Sequence, residues 1–270
     1  MPRAWRWALI TLAAVAVAAV TASLGFWQLD RAAQKQRLFD AIAKQQALAP
    51  WHNADVAAQV PAAGQALSDP ASQALLHRPV QLQGRWLADE TLYLDNRQMQ
   101  GRVGFYVLTP LQLAPPHEGK VIVVQRGWAP RNFLDRTALP PVQTPEGLVS
   151  LQGRLEAPPS RLMELEPGAA ASADPDGQQS RIRQNADIAA WARQSRLPLL
   201  SLTVLQTGAA GEGAAGEGLQ RDWPAINAGV EKHYGYAFQW FGLCVLVVLL
   251  YVWFQLVRPR LPVRRRSAAQ

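Results

Sequence analysis

The sequence predicts a membrane protein in which two transmembrane α-helices flank a mainly antiparallel β domain of the α+β type, outside the cytoplasm. Two uncharged apolar segments of about 20 residues stand near the two ends of the 270-residue chain. Each is long enough to cross a hydrocarbon core of roughly 30 Å as a helix. Between them, short runs of alternating or β-branched and aromatic residues are typical of half-buried strands.

The first apolar segment, residues 8–27, predicts a transmembrane helix that is retained in the mature protein. The alternative is a cleaved signal peptide, because Ala16-Val17-Ala18 resembles a small-residue cleavage site. However, the segment is longer than the roughly 7–15 apolar residues of a signal peptide, and it ends in the bulky pair Phe26-Trp27. We expect the helix to continue into residues 28–50, since neither Gly nor Pro occurs before Pro50.

The basic residues predict the orientation of the chain in the membrane. Two arginines precede the first apolar segment and five follow the second, so the two tails account for the whole formal net charge of +7. The positive-inside rule then places both termini, including the basic tail 258–270, in the cytoplasm and residues 28–235 on the opposite side. Because that middle part is neutral, it offers no electrostatic reason to bind nucleic acid.

The second apolar segment, residues 236–257, predicts the other transmembrane helix and contains the only cysteine of the chain, Cys244. An exported domain without thiols needs no disulfide. Within the middle part, glycine-rich tracts at 168–179 and 208–218 predict flexible loops.

The β domain is predicted from its apolar patterning, with one helix expected over residues 182–195. The sequence VQLQGRW at 80–86 recurs as VSLQGRL at 149–155. A Gly at the same place in both predicts a bulge or a close approach of the backbone. Strands are expected at 80–86, 91–94, 105–109, 121–125, 149–155 and 198–206.

The sequence contains no motif that supports an enzyme. The four histidines occur in no metal-ligand or nucleophile motif, and no glycine-rich phosphate loop is present. Arg97 follows Asp95 closely and predicts an exposed ion pair. The triplet Arg126-Gly127-Trp128 predicts a turn at a strand end, with the indole packed on the sheet.

Five stretches in order carry a family resemblance: LGFWQLDRAAQK, PVQLQGRW, GRVGFYVLTPL, VVQRGWAP and HYGYAFQWFGL. Together, over residues 24–257, they resemble the bacterial type of the Surf (surfeit-locus) family of cytochrome c oxidase assembly factors. The family often has Asn two residues before the histidine of the last stretch, where this chain has Glu231. The matched positions to which we assign structural roles are Gly25, Trp27, Gln28, Arg31, Gly84, Trp86, Arg97, Gly104, Arg126, Gly127, Trp128 and Pro130.

The resemblance implies a non-enzymatic assembly factor in a bacterial inner membrane. Such a protein assists the delivery or insertion of haem a into the core subunit of a haem–copper cytochrome c oxidase, with haem a synthase as a candidate further partner. His233 matches the position of the family's proposed axial haem ligand. The alternative is a membrane-tethered β domain that only scaffolds protein partners and binds no haem.

The residues around His233 give a separate, chemical reason to consider a haem site. A neutral imidazole is the usual proximal haem ligand, and the small residues beside it are expected to leave room for the ring. Arg31 and Lys35 are expected close enough to meet the propionates. The alternative is an aromatic belt that only sets the depth of the helix. The helical face in question carries His233, Tyr236, Ala237, Trp240 and Cys244.

Overall fold

The computed structural model describes residues 2–65, 70–135, 138–162, 181–207, 218–223 and 229–260. The chain forms two compact units, one of Met1–Ala41 with Ala225–Gln270 and the other of Ile42–Pro224. The predicted loops at 168–179 and 208–218 lie outside the described residues, apart from Gly218, and so do residues 261–270. The helices are α1 (Arg3–Gln46), α2 (Asn53–Gln59), α3 (Pro70–Ala74), α4 (Ile188–Ser195) and α5 (Val230–Tyr251).

The first unit consists of two long apolar helices. Helix α1 runs for 44 residues, and the predicted extension beyond residue 27 is confirmed because the helix is unbroken as far as Gln46. Helix α5 continues into a π-helical turn at Val252–Val257 and a 3₁₀ turn at Arg258–Arg260. Both helices are long and apolar enough to cross a membrane.

The second unit is built on a seven-stranded sheet in the order β1-β5-β7-β4-β3-β2-β6. The long strand β3 pairs with β2 along its first half and with β1 at its end, so β1, β5, β7, β4 and β3 close into a small barrel. The β4–β7 and β2–β6 pairs are parallel, and the other pairs are antiparallel. The strands are β1 (Pro79–Trp86), β2 (Leu92–Met99), β3 (Arg102–Leu113), β4 (Val121–Pro130), β5 (Val149–Glu156), β6 (Ile182–Arg183) and β7 (Leu199–Gln206).

The two strands with the repeated sequence are direct neighbours in the barrel. In the β1–β5 register, Val80 lies opposite Gly153 and Gly84 lies opposite Val149, so each strand sets its Gly against the other's Val. A Cβ on Gly84 would collide with the backbone oxygen of Gln112. The predicted close approach of the backbone is therefore confirmed, and Gly is required there because no side chain fits.

Helix α4 packs against the sheet and begins later than predicted. The helix starts at Ile188 rather than at residue 182, because Asp187 caps it by accepting a hydrogen bond from the backbone N–H of Ala190 at 2.9 Å. The preceding residues instead form the short strand β6 beside β2. Ile188 and Trp191 of α4 are buried in a second apolar cluster, next to the one inside the barrel.

Candidate functional site

The two long helices pack in an antiparallel arrangement along one stripe of each, which we call the seam. Shielded residues recur along it at spacings of three and four, as in a coiled coil. The direction follows from two contacts: Thr11 Oγ1 lies 3.0 Å from the Tyr251 hydroxyl, and the Cys244 thiol donates to the Ala18 oxygen at 3.4 Å. The seam comprises Thr11, Ala14, Ala18, Thr21, Gly25, Gln28, Ala32 and Lys35 of α1, and Val230, His233, Ala237, Trp240, Cys244, Val247 and Tyr251 of α5.

Small residues let the two helices come close together. A Cβ on Gly25 would lie 2.8 Å from the ring of Phe241, which also meets Phe26 edge-to-face at 5.2 Å between ring centroids. Ala32 and Ala237 are almost completely buried. Close approach through Gly and Ala is common where helices associate in membranes.

His233 is held across the seam by a glutamine. Its Nδ1 lies 2.7 Å from Gln28 Oε1, a short distance for a hydrogen bond. An amide oxygen can only accept, so His233 Nδ1–H is the donor. In the neutral imidazole the other nitrogen, Nε2, therefore carries the lone pair that can bind a metal.

The rest of the predicted haem face is divided by the packing. Trp240 lies on the seam with His233, whereas Tyr236 is half exposed and lies outside the seam. The small residues Ala237 and Cys244 pack against α1. The expectation that they leave room for a ring beside His233 is therefore wrong, because α1 fills that space.

The two predicted propionate partners differ in their surroundings. Arg31 is exposed and donates from Nη1 to Gln34 Oε1 at 3.1 Å on its own helix. Lys35 lies on the seam, and its Nζ stands 3.8 Å from the place of a Cβ on Gly229, the residue that precedes α5. Trp27 is 56% exposed.

Several motif residues of the β unit meet around Trp128. Its indole is fully buried, and Nε1–H donates to the backbone oxygen of Arg97 at 2.9 Å. A Cβ on Gly104 would lie 2.6 Å from the indole, so this Gly makes room for the ring. Pro130 lies opposite Gly104 at the end of β4.

The predicted exposed pair of Asp95 and Arg97 is wrong. Arg97 is 5% exposed and donates to the backbone oxygens of Ser160 and Gln184, both at 2.9 Å, while Asp95 pairs with Arg131 at 3.1 Å. The register of β2 against β3 shifts between residues 94 and 97, and this irregularity turns the Arg97 side chain inward. Burial lowers the pKa of Arg97, and the Coulombic effect of the nearby Tyr106 opposes that shift.

The triplet Arg126-Gly127-Trp128 is not a turn at a strand end, because β4 runs on to Pro130. Gly127 is where a segment of residues 219–223, which we call the strap, lies against the strand. Trp128 and Gln220 exchange two backbone hydrogen bonds of 2.7 and 2.8 Å. A Cβ on Gly127 would lie 2.8 Å from Leu219 Cβ, so the missing side chain allows the strap to pair.

Arg126 lies under the strap and is fully buried. Its guanidinium carbon stands 4.7 Å from the centroid of the Trp86 ring, in a cation–π contact. It donates from Nη1 to Thr144 Oγ1 and from Nη2 to the Gln143 oxygen, both at 2.7 Å. The motif arginine therefore joins β4, the end of β1 and the segment before β5.

A family model described as the SURF1 family matches residues 15–245. The chain belongs to the SURF1 family. The matched range takes in most of α1, every described strand, and α5 as far as residue 245, so both Gln28 and His233 fall inside it.

A SURF1-like protein of Rickettsia felis (strain ATCC VR-1525 / URRWXCal2) is 32% identical to this chain over 109 residues. The alignment covers 39% of this chain and 40% of the relative. The chain thus matches about two fifths of the length of that curated relative, and membership of the SURF1 family rests on the longer family match.

The residue that sequence reasoning missed is Gln28 in its role as the partner of His233. The SURF1 resemblance marked Gln28 as a structural position without giving it a partner. One available signal was the spacing of small residues along α1, because Gly25 and Ala32 mark the stripe on which Gln28 lies. The contact itself joins residues 205 positions apart, and nothing local encodes such a separation.

Proposed function

We propose that this chain is a non-enzymatic, membrane-anchored assembly factor for haem–copper cytochrome c oxidase that holds haem a for the core catalytic subunit. Membership of the SURF1 family supports the assembly role. The observation that carries the haem part is the 2.7 Å hydrogen bond from His233 Nδ1 to Gln28, which leaves Nε2 with a lone pair. A metal-binding histidine is commonly held in this way through its second nitrogen.

The residues present fit the chemistry of haem a. When bound, haem a supplies an iron that accepts a neutral imidazole and propionates that accept cationic donors. His233 would hold the iron through Nε2. The half-exposed Tyr236, and the part of the Trp240 ring that α1 leaves uncovered, would contact the porphyrin. Arg31 would meet a propionate, with Lys35 one turn farther along α1.

We assign the protein to the inner membrane of a bacterium, with both helices in the bilayer. Two helices of sufficient length and hydropathy support the anchoring. The arginines of the two tails favour cytoplasmic termini and a periplasmic position for residues 28–235. The partners in this scheme are the lipid bilayer, the oxidase core subunit and haem a synthase, without nucleic acid.

The test is the absorption spectrum of the detergent-purified full-length protein after co-expression with haem a synthesis. The unmodified protein should show Soret and α bands of haem a, and His233→Ala should lose them at unchanged protein yield. His233→Met should retain part of the signal, because a thioether can serve as an axial ligand. Tyr236→Phe removes only a hydroxyl and should leave the spectrum unchanged.

The matched control is His117→Ala, which removes a histidine from the β unit. If His233→Ala binds haem a as well as the unmodified protein does, the ligand assignment is wrong. If the unmodified protein and all the variants lack haem, the proposal fails. The alternative, a tethered β domain that only scaffolds protein partners, then replaces it.

A further inference from the structure

Gln28 is the residue whose contact decides which nitrogen of His233 is available. Of the two side chains, only the imidazole can donate in this bond, since the contacting atom of Gln28 is its amide oxygen. The bond therefore selects the neutral tautomer with the proton on Nδ1. That tautomer presents its lone pair at Nε2, the ring nitrogen that does not contact Gln28.

We propose that Gln28 is a positioning residue that fixes the tautomer and the ring orientation of His233 for haem binding. This inference rests on the proposed function, because it assigns Gln28 a role in the same site. Groups that hold the second nitrogen of a metal-binding histidine also raise the basicity of the nitrogen that binds. Gln28 would thus determine both the geometry and the donor strength of the ligand.

The packing around the pair holds both side chains in place. On α1, buried Gly25 and Ala32 lie three residues before and four residues after Gln28. On α5, buried Val230 and Ala237 flank His233 in the same way. Because both helices are fixed to each other one turn away on either side, the two side chains meet at a set distance.

The nearby side chains of α1 cannot take over this role. Arg31 and Lys35 carry only donors, and neither can accept a hydrogen bond from His233 Nδ1–H. Among these three residues, only Gln28 can accept that hydrogen bond.

The first test compares Gln28→Met and Gln28→Glu in the full-length protein loaded with haem a. Gln28→Met keeps the length of the side chain but removes the amide oxygen, and haem retention should fall about 10- to 100-fold. Gln28→Glu keeps an acceptor and adds a negative charge, so haem should be retained with a lower reduction potential of the iron. A purely structural role would not move the potential in this way.

The second test uses the haem-free protein and measures the ¹⁵N chemical shifts of the histidine rings by NMR. The resonance pair of His233 is identified by its absence from His233→Ala. The unmodified protein should show the tautomer with the proton on Nδ1, and Gln28→Met should lose that preference. Gln34→Met is the matched control, because Gln34 is an exposed glutamine on the same helix.

The outcomes separate the two proposals. If His233→Ala loses haem while Gln28→Met keeps full haem retention and the Nδ1–H tautomer, the role of Gln28 is wrong and the ligand assignment stands. If His233→Ala keeps haem, the proposed function fails. Even in that case, a change of tautomer in the haem-free Gln28→Met protein would show that Gln28 orients the His233 ring. An unchanged tautomer would refute the role of Gln28 as well.

Discussion

Arg97 shows how one buried guanidinium can bind two separate segments to the sheet. It bonds Ser160, 63 residues away, and Gln184, 87 residues away, through different nitrogens. Its own backbone oxygen accepts from the Trp128 indole. Arginine suits this position because its planar fork presents several donors in fixed directions, whereas lysine has a single ammonium.

Arg97→Lys should therefore lower the free energy of unfolding of the β unit by about 2 kcal/mol, since at least one charge-assisted hydrogen bond to a backbone carbonyl is lost. The measurement is the denaturant midpoint of the purified protein, followed by tryptophan fluorescence. The control is Arg85→Lys, an exposed arginine on β1, which should change the midpoint little. Equal effects of the two substitutions would indicate that Arg97 contributes no more to stability than an exposed arginine does.

At the scale of elements, the strap pairs with β4 because Gly127 has no side chain. Gly127→Ala places a methyl group 2.8 Å from Leu219 Cβ and 2.9 Å from the Gln220 oxygen, and the strap must move away. The backbone N–H groups of Trp128 and Gln220 should then exchange faster with solvent deuterium. Gly119→Ala is the control, because a Cβ there meets nothing within 4 Å. Unchanged protection in Gly127→Ala would mean that the strap is held by other contacts.

The seam can be tested through the only cysteine of the chain. Cys244 contacts Ala18, so Ala18→Cys should form a disulfide with it under a mild oxidant. The two helices should then stay covalently joined after proteolysis of the β unit, as seen by electrophoresis without reductant. Ala16→Cys lies on the opposite side of α1 and should remain unlinked. Efficient linkage of both variants, or of neither, would contradict the seam.

The elements were predictable where local sequence determines them. Alternating and β-branched runs mark the six longer strands, and glycines at equal places in β1 and β5 mark the close backbone contacts. The strand β6 and the strap escaped prediction, because two to five residues pairing with a distant strand carry no periodicity. The seam was not predicted for another reason. In helices that are apolar on all sides, the contact face is marked by small residues and not by a contrast between polar and apolar faces.

The whole molecule is expected to cross the membrane twice, with the barrel on one side. A reporter phosphatase that is active only in the periplasm should be active when fused after residue 135 and inactive when fused at the C-terminus. The physical reason is the cluster of arginines in both tails and the neutral charge of the middle. Green fluorescent protein fused at the same two positions should give the opposite pattern. Activity of the phosphatase when it is fused at the C-terminus would contradict the predicted topology.

The candidate site was only partly predictable, and the reason is long-range contact. His233 was found by a family resemblance over a short stretch, and the aromatic residues beside it by helical spacing. Gln28 and the burial of Ala237 depend on how two helices from opposite ends of the chain meet. Arg97 depends in the same way on loops far along the chain, so its burial could not be inferred from the adjacent Asp95.

Gln28 and His233 are 205 positions apart, so the ribosome synthesises one of them well before the other. At translation rates of about 5–20 residues per second, roughly 10 to 40 seconds separate the two residues at the ribosome. All the barrel strands are synthesised in the same interval, and the last of them, β7, ends at residue 206. A chain that terminates before residue 233 therefore lacks the His233 imidazole and cannot form the contact with Gln28.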